Sequence, residues 1–499
     1  MTFKRIIALL LVVVFAALPL ASCGGGDDTT KPPQGPSVTG GNTLKAEYPL
    51  DRDLKFENEE IRIYSRARSW FAKEMTVEPD EAVNAIHQSV YDRELYVEEA
   101  LGIEITNKKE TNEAYDAVTN TVQTLFEADT DLYDVIANNG LQSSATILRG
   151  YYYDFNDTAY IDTTMPWYNQ DLIQSSTVYD QLYCLNGYVT LSSYQMGLVM
   201  FYNQMLLDRY HNGVNLYDEV DNKTWTLDRL NELVSGVYSD ENANNQRDES
   251  GDLFGLAFNN VVCMWSFWSS CDLKTLAQDE NGVPYFYVDE ERALSAIEKL
   301  CTLYHDNNGA LTMTHVTGND GEFETCMQNF SSDLYLFAHL RLLSVESEYF
   351  TNMESAYGIL PPPLLDSDQG RYAVGLHDQF TLLYLMGTMD ESKLDVAGAF
   401  IELMSWYSYC YTIDAYAEVA LKGRYSRDED SRRMIDIIVN GVVLEPGEIW
   451  NGITGFYGAH FLNETVKTNQ PGAISRLIQA KEKMINYYLG KVDDFFSAN

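Results

Sequence analysis

The sequence predicts an α/β fold in two halves, and three observations predict it. Strand and helix patterns alternate over the first hundred residues after residue 45, which is typical of a parallel sheet covered by helices. A second buried strand pattern starts after Met196 and is again followed by helices. At 499 residues the chain is long enough for two or three domains, so two α/β halves fit it better than one giant sheet.

The elements of the first half follow from the spacing of the apolar residues. Apolar residues alternate with polar ones in a half-buried strand and recur every three or four positions on one helix face. Gly102 ends the first helix, because glycine readily adopts the left-handed conformation of a helix end. In order, the predicted elements are a strand at 61–65, a helix at 82–101, a strand at 103–105, a helix at 113–128 and a strand at 134–137.

The second half is predicted in the same way. Residues 197–202 form a continuous apolar run, which is typical of a buried strand. Thr226 caps a helix that runs to about residue 238, with Asp228 in its positive first turn. Further elements are a strand at 357–360, which three prolines close, and helices at 393–421, 428–440 and 472–489.

The first 44 residues predict an export signal and a tether. Residues 1–22 hold an apolar run too short for a spanning helix and end in a Leu-Ala-Ser approach to Cys23. This pattern resembles the bacterial lipobox, in which Cys23 is acylated; an ordinary secretory signal before a chance cysteine is the alternative. Residues 23–44 are rich in Gly, Pro and Thr and form a flexible tether. We therefore expect the chain on the extracellular face of a bacterial cell membrane, held there by lipid alone.

Composition excludes several classes of protein. The net charge is −40, and it falls to −42 when the two basic residues of the signal are removed, so a nucleic-acid partner is not expected. There is no Gly-rich phosphate loop, no His-Glu-x-x-His and no Gly-x-Ser-x-Gly, so we expect no enzyme and no required cofactor. Seven cysteines are too few for a disulfide scaffold, although a Cys263–Cys271 bridge stays open.

A segment at 240–252 suggests a structural calcium site. Oxygen-bearing residues alternate along it, as they do in loops that bind hard divalent cations. Asn245 stands where such loops carry glycine, and Gly251 stands where they carry the last carboxylate, so a solvated acidic loop is an equal alternative. The candidate ligands are Asp240, Asn242, Asn244, the backbone carbonyl of Gln246, Asp248 and Asp252.

Aromatic residues form 13% of the chain and suggest a ligand class. Trp265 and Trp268 are three positions apart, which places them on one face if they are helical. Sugar rings have apolar faces that stack on aromatic side chains, and their hydroxyl groups bond to Asp, Asn and Arg. Most single aromatics of this kind nevertheless pack in cores.

Several stretches together resemble bacterial extracellular solute-binding proteins of family 1, the maltose-binding-protein-like receptors of ABC importers, in their long lipoprotein form. Trp225-Thr226-Leu227-Asp228 and Gly358-Ile359-Leu360-Pro361 are characteristic in combination. Tyr168 and Tyr202 stand where many relatives carry Trp and Phe, and the calcium loop is altered. The matching stretches span most of the chain and lie at 132–136, 160–162, 165–169, 201–203, 223–228, 357–361 and 421–428.

The resemblance implies a two-lobe, periplasmic-binding-protein-like α/β fold in which the chain crosses a hinge several times and a ligand cleft lies between the lobes. We place the crossings near Met196, Leu376 and Leu444. The first lobe would comprise 45–195 and 376–443, and the second 197–375 and 444–499. Closure would be hinge bending in which the ligand selects the closed state.

Position at strand ends and crossings selects the candidate ligand-binding residues. Ligands of open α/β sheets bind beyond the carboxyl ends of the strands. Trp265 or Trp268 would stack a ring, and Arg341 lies in a Leu-rich segment where a buried guanidinium needs a polar partner. The full set is Asn138, Asn139, Tyr194, Trp265, Trp268, Arg341, His377 and Asp378.

The hypothesis that results is a lipid-anchored receptor, expected to be monomeric, that captures a mono- or oligosaccharide and delivers it to the permease subunits of an ABC importer. Two alternatives stay open. The same fold would serve as a ligand sensor for a membrane kinase, or the chain would be a surface carbohydrate-active enzyme.

Overall fold

The computed structural model describes residues 45–499 apart from 69, 250, 260, 261, 314–318, 421–428, 457 and 499. The signal, Cys23, the tether and the motif at 421–428 therefore lie outside the described residues. Within the described ranges, no helix combines the length and the apolar character needed to span a membrane.

Fifteen strands form two large sheets and two small ones among the described residues. In chain order they are β1 Glu60–Ser65, β2 Glu104–Lys109, β3 Val135–Asn139, β4 Tyr152–Tyr153, β5 Leu198–Asn203, β6 Tyr238–Ser239, β7 Leu253–Asn259, β8 Leu276–Gln278, β9 Pro284–Phe286, β10 Ala310–Met313, β11 Tyr335–Arg341, β12 Tyr357–Leu360, β13 Val374–Gly375, β14 Thr381–Met386 and β15 Val442–Val443.

The first sheet has the order β2-β1-β3-β14-β4, and the second has the order β10-β7-β11-β5-β12 with β6 paired to β7. β1, β2 and β3 are parallel, as the alternating pattern predicts, while β14 runs antiparallel to β3. In the second sheet β7, β10 and β11 are parallel, and β5 runs antiparallel to both of its neighbours. Each half of the chain thus carries its own sheet, and β14 returns late in the chain to the first one.

Nineteen α-helices surround these sheets in the described part of the chain. They are α1 Ala85–Leu101, α2 Ala117–Glu127, α3 Gly140–Ile147, α4 Gln170–Ser176, α5 Ser192–Gln195, α6 Gln204–Tyr210, α7 Leu216–Asp221, α8 Leu227–Val234, α9 Val262–Ser270, α10 Glu290–Cys301, α11 Asn319–Ser331, α12 Glu348–Thr351, α13 Leu394–Tyr407, α14 Ile413–Ala420, α15 Glu429–Asn440, α16 Pro446–Ile449, α17 Asn451–Thr454, α18 Ala459–Thr465 and α19 Ile474–Phe496.

Local signals set several of these helix ends. Asn84 caps α1 by accepting a hydrogen bond from the backbone of His87, and Gly102 ends it with a φ of 64°. Thr226 caps α8, as predicted, but α8 ends at Val234. The predicted extension to 238 is wrong, because Tyr238 belongs to β6, which pairs with β7.

Two predicted helices differ from the structure, and the cysteine bridge that the sequence left open does not form. The helix expected at 393–421 is α13 and α14 separated by a π-helical turn at Ser408–Thr412. The last helix extends beyond 489 to Phe496, because Leu489, Val492 and Phe496 continue its buried stripe. Cys263 and Cys271 are both buried and form no bridge.

The three predicted crossing segments contact one another. Gly197 pairs with Leu376, and the backbone N–H of His377 donates to the carbonyl of Met196 at 2.9 Å. β13, just before the second crossing, pairs with β15, just before the third. These contacts form one hinge region between the two sheets. The exact lobe boundaries remain a proposal.

One segment packs differently from the predicted division. α15 was expected in the first lobe, which was drawn to residue 443, but it contacts β12 and α7 of the second half. Buried Met434, Ile435 and Ile438 supply the apolar face for this contact. The physical reason is that an apolar stripe along a helix predicts that this face is buried, but it does not identify the sheet against which the face packs.

A buried carboxyl group on α13 makes the stability of the fold depend on pH. Glu402 is 1% exposed and accepts a hydrogen bond from the hydroxyl of Tyr168 at 2.6 Å. Burial raises the pKa of Glu402 from 4.5 to about 7, and the hydrogen bond from Tyr168 only partly offsets this effect. A carboxyl whose pKa is higher in the folded state stabilises the fold below the unfolded pKa, and this contribution is lost as pH rises from about 4.5 to about 7.

We therefore expect Glu402→Gln to raise the melting temperature at pH 8 and to leave it nearly unchanged at pH 4, where the native group is already neutral. Calorimetry across this pH range measures the effect. Glu482→Gln on the exposed face of α19 is the control and should show no such pH dependence. A parallel shift of Glu402→Gln at both pH values would contradict the assignment.

Candidate ligand-binding site

A small cavity of about 20 Å³, enough for about one water molecule, lies at the carboxyl ends of β1 and β3. The loop after β1, the loop before α2 and the residue pair before β14 form its walls. Such an edge is where open α/β sheets bind their ligands. The residues that line it are Arg66, Ala67, Arg68, Phe71, Asn112, Glu113, Ala114, Tyr115, Val118, Asn139 and Gln379.

Arg66 forms the charged floor of this cavity. Its Nη2 donates to the carbonyl of Gln379 at 2.9 Å and to the hydroxyl of Thr381, and its guanidinium lies 3.5 Å from the ring centre of Phe71. Glu74, 3.7 Å away, is its ion-pair partner. Burial lowers the pKa of Arg66 to about 10, which leaves it charged at neutral pH. Among the described residues its Nε and Nη1 are buried and find no hydrogen-bond partner.

The two asparagines at the end of β3 take different positions. Asn139 lines the cavity, and its Nδ2 donates to the carbonyl of Asp378 at 3.0 Å. Asn138 is 1% exposed, and its amide bonds inside the first half to Thr119 and to the backbone of Asn139. Only Asn139 is therefore placed to meet a ligand in this conformation.

His377 and Asp378 lie where the second crossing meets the cavity. His377 Nε2 is 3.2 Å from Asp378 Oδ1. Burial lowers the pKa of His377 well below its usual value, with Arg341 and Arg68 adding to the effect. Burial also raises the pKa of Asp378 to about 6, although Gln379 and three arginines oppose it. The two residues thus form a buried corner in which burial disfavours the charged form of each.

Arg341 joins the two halves across the cleft. It ends β11 of the second sheet and is 5% exposed. Its guanidinium lies 4.4 Å from the ring centre of Trp70, in the loop after β1, and 4.2 Å from that of Phe323 on α11. Trp265 on α9 lies 5.7 Å from the ring of His377. Aromatic rings and cations from both halves therefore meet at this corner.

Two of the predicted aromatics lie in the packed interior. Trp268 is 2% exposed and stacks on Phe461 at 5.6 Å, and a Cβ on Gly458 would lie 2.0 Å from its indole nitrogen. Tyr194 is also 2% exposed and meets Tyr416 edge-on at 5.0 Å. Trp268 thus takes the core position that single aromatics usually take, whereas Tyr194 also lines a second pocket beside the crossing segments.

Sequence reasoning missed several cavity residues. Arg66 and Trp70 follow the first predicted strand, so the rule that ligands bind at strand ends, the strand-end rule, could have found both. Phe323 carries no such signal, because it is one apolar residue of a mostly polar helix. Tyr115 lines the cavity from the loop before α2 and is equally silent in the sequence.

Comparison with known proteins supports the fold. The sequence matches no protein-family model, and no curated protein matches it. Among solved structures, the sugar-binding protein MalE of Xanthomonas citri aligns with a TM-score of 0.56 at 14% identity, over 88% of this chain and 100% of that one. An ABC substrate-binding protein of Listeria monocytogenes in complex with cycloalternan aligns with a TM-score of 0.53 at 13% identity, over 87% and 99%. A cyclic α-maltosyl-1,6-maltose binding protein of Arthrobacter globiformis gives 0.53 at 10% identity, over 87% and 99%.

The chain has the fold of ABC-transporter sugar-binding proteins. The prediction of a two-lobe, periplasmic-binding-protein-like α/β fold is thus confirmed. Residues of the first half and Gln379 line the cavity beside Asn139, and Arg341 brings the second half into contact with Trp70. These named neighbours are binding proteins and not enzymes. At 10–14% identity they establish architecture, and the ligand must be argued from the cleft itself.

Among its described residues, the segment at 240–252 folds back on itself. Asp240 accepts hydrogen bonds from the backbone of Asn244 and Asn245, and Asn245 has a φ of 60°, the left-handed conformation foreseen for it. Asp252 is fully buried and holds the backbone of Asp248 at 3.3 Å. In the described ranges no group of three or more His, Cys, Asp or Glu residues is arranged to hold a metal. The carboxylates therefore do not converge in this conformation, and no function is assigned through a metal.

Calcium binding by this loop stays a prediction with a direct measurement. If it binds, the melting temperature rises with added calcium and falls with a chelator, because a metal bound only to the folded state stabilises it. Asp240→Ala should remove the difference, and Asp228→Ala on α8 should preserve it. An identical melting temperature in chelator and in calcium would remove the site.

Proposed function

We propose that this protein is a lipid-anchored extracellular receptor that captures a mono- or oligosaccharide and delivers it to an ABC importer. The observation that carries the proposal is the combination of the solute-binding fold with a cleft corner built from rings and hydrogen-bonding groups of both halves. Trp70, Phe323 and Trp265 supply the rings, and Arg66 and Asn139 supply donors. Sugar recognition needs both kinds of group.

Extracellular anchoring is supported by the sequence of the first 44 residues, which carry an apolar signal and a lipobox that ends at Cys23. Labelling cells with a fatty acid tests it. Cys23→Ala is expected to abolish the label and to release the protein into the medium, while a label that persists in this variant contradicts lipidation.

A thermal-shift screen tests the ligand class. A ligand at 100 times its dissociation constant stabilises the folded state by about 2.7 kcal/mol. We expect such a shift with at least one of maltose, maltotriose, cellobiose, xylobiose or a cyclic α-glucan, and none with short peptides. A shift with peptides alone would reject the carbohydrate assignment.

Two further measurements connect binding to the cleft and to import. Asn139→Ala should lower the affinity for the sugar that raises the melting temperature of the wild type. Asn138→Ala should lower this affinity less, because the Asn138 amide already bonds to Thr119 inside the first half. A strain that lacks this protein should lose uptake of that sugar at low concentration. Unchanged uptake would point away from import.

A further inference from the structure

A second open pocket lies beside the hinge and shares no lining residue with the cleft cavity. We call it the hinge pocket, and it has a volume of about 320 Å³. This volume lies at the lower end of the range of small-molecule sites, roughly 300–1,000 Å³. Its principal lining residues are Tyr168, Asn169, Asn186, Tyr188, Arg371 and Asn440.

The walls of the hinge pocket come from both halves of the chain. Arg371, from the loop before β13, pairs with Asp171 on α4 through two contacts of 3.1 and 3.3 Å. Asn169 Nδ2 donates to the carbonyl of Val442 in β15 at 3.3 Å. The pocket is therefore a crevice between the first half and the hinge strands, and not a defect inside one core.

The chemistry of the lining is that of a site for polar rings. Tyr188 presents an aromatic ring, and its hydroxyl bonds to the side chain of Asn440 at 3.3 Å. Arg371 and Asp171 are the charged side chains of the lining, and they pair with each other, so the hinge pocket carries no net charge. Val439 and Val442 add apolar surface. Aromatic rings, amides and a neutralised ion pair suit an uncharged polyhydroxylated ligand.

We propose that the hinge pocket is a second ligand site that takes a neutral sugar ring. This site is separate from the cleft of the proposed function and does not depend on it. Tyr188 stacks on the ring, and the amides of Asn169 and Asn440 bond its hydroxyl groups. The ion pair of Arg371 and Asp171 closes one side.

Equilibrium dialysis with maltose, cellobiose and xylobiose counts the sites on the soluble full chain, which carries Cys23→Ser. The cleft is disabled by Asn139→Ala with Trp70→Ala, two residues outside the hinge pocket. In the hinge pocket, Tyr188→Ala removes the stacking ring, and Asn440→Trp fills the pocket with a larger side chain. Asn440 is exposed at the rim, so this second variant keeps the test valid if loss of Tyr188 disturbs folding. Tyr179→Ala, at an exposed tyrosine outside the pocket, is the matched control.

We expect the wild type and Tyr179→Ala to bind two equivalents of at least one of these sugars. The cleft-disabled chain should bind one equivalent. Adding Asn440→Trp to this chain should lower the affinity for that equivalent at least ten-fold. A cleft-disabled chain that binds none of the three sugars overturns the proposal, and so does binding to the cleft-disabled chain that Asn440→Trp leaves unchanged. A single equivalent that the cleft variants abolish would leave the proposed function standing and remove the hinge pocket alone.

Discussion

Replacing Asp134 with alanine is expected to lower the free energy of unfolding by about 3 kcal/mol, the lower end of the range for breaking a buried ion pair. Asp134 is fully buried at the start of β3. Its carboxylate accepts from Arg62 Nη2 at 2.6 Å, from Arg62 Nε at 3.0 Å and from Lys393 Nζ at 3.1 Å. It also holds the backbone N–H of Arg62 at 2.8 Å. The substitution leaves two cations in β1 and before α13 without this partner.

Asp131 provides a matched control, because it contacts the same arginine from the surface. Its side chain is 45% exposed, and the pair it forms with Arg62 is screened by water. Asp131→Ala should therefore cost less than about 1 kcal/mol. Urea denaturation of both variants measures the difference as a shift in midpoint at similar slope. Equal effects of the two substitutions would show that burial of Asp134 is not what gives the pair its strength.

The strand-end rule explains how far the sequence could reach. Asn139 and Asp378 lie at the cavity edge, because carboxyl ends of strands and hinge crossings can be placed from periodicity and length. The parallel core of the first sheet followed in the same way. Arg341 was selected because a guanidinium in a Leu-rich segment needs a polar partner. The spacing of apolar residues was sufficient to predict the location of a residue wherever that location depends only on its position along one strand or helix.

The same pattern could not separate a cleft aromatic from a core aromatic. Trp265 and Trp268 lie on one helix and are both buried, yet Trp265 meets His377 while Trp268 packs on Phe461. The difference depends on tertiary packing, because Phe461 belongs to α18, about 190 residues later in the chain. The antiparallel entry of β14 into the first sheet is of the same kind, since strand direction within a sheet is set by pairing and not by residue spacing.

Arg66 is where stability and ligand binding meet, and Arg66→Met is expected to affect both. Removal of the guanidinium leaves Glu74, which is 2% exposed, without its cation, at a cost of about 3 kcal/mol. The hydroxyl groups of Ser192 and Thr381 still donate to Glu74, which places the effect at the lower end of the range. Sugar affinity should fall about ten-fold, or about 1.4 kcal/mol, because the cavity loses its charged floor and the bond to Gln379. Urea denaturation and titration with the sugar found by thermal shift measure the two effects.

A double-mutant cycle separates charge from packing at this site. If the cost arises from an unpaired buried carboxylate, adding Glu74→Met to Arg66→Met recovers at least about 1 kcal/mol of stability, since an apolar pair of similar volume needs no partner. Sugar affinity should not recover, because the donors of Arg66 stay absent. Arg68→Met is the control. Within the described residues the Arg68 side chain donates one hydrogen bond, to the carbonyl of Glu113. Removing this side chain should therefore lower the free energy of unfolding by less than about 1 kcal/mol. A double variant as unstable as the sum of its parts would mean that Arg66 acts through its packing on Phe71, and the ion pair would then have no part in shaping the cleft.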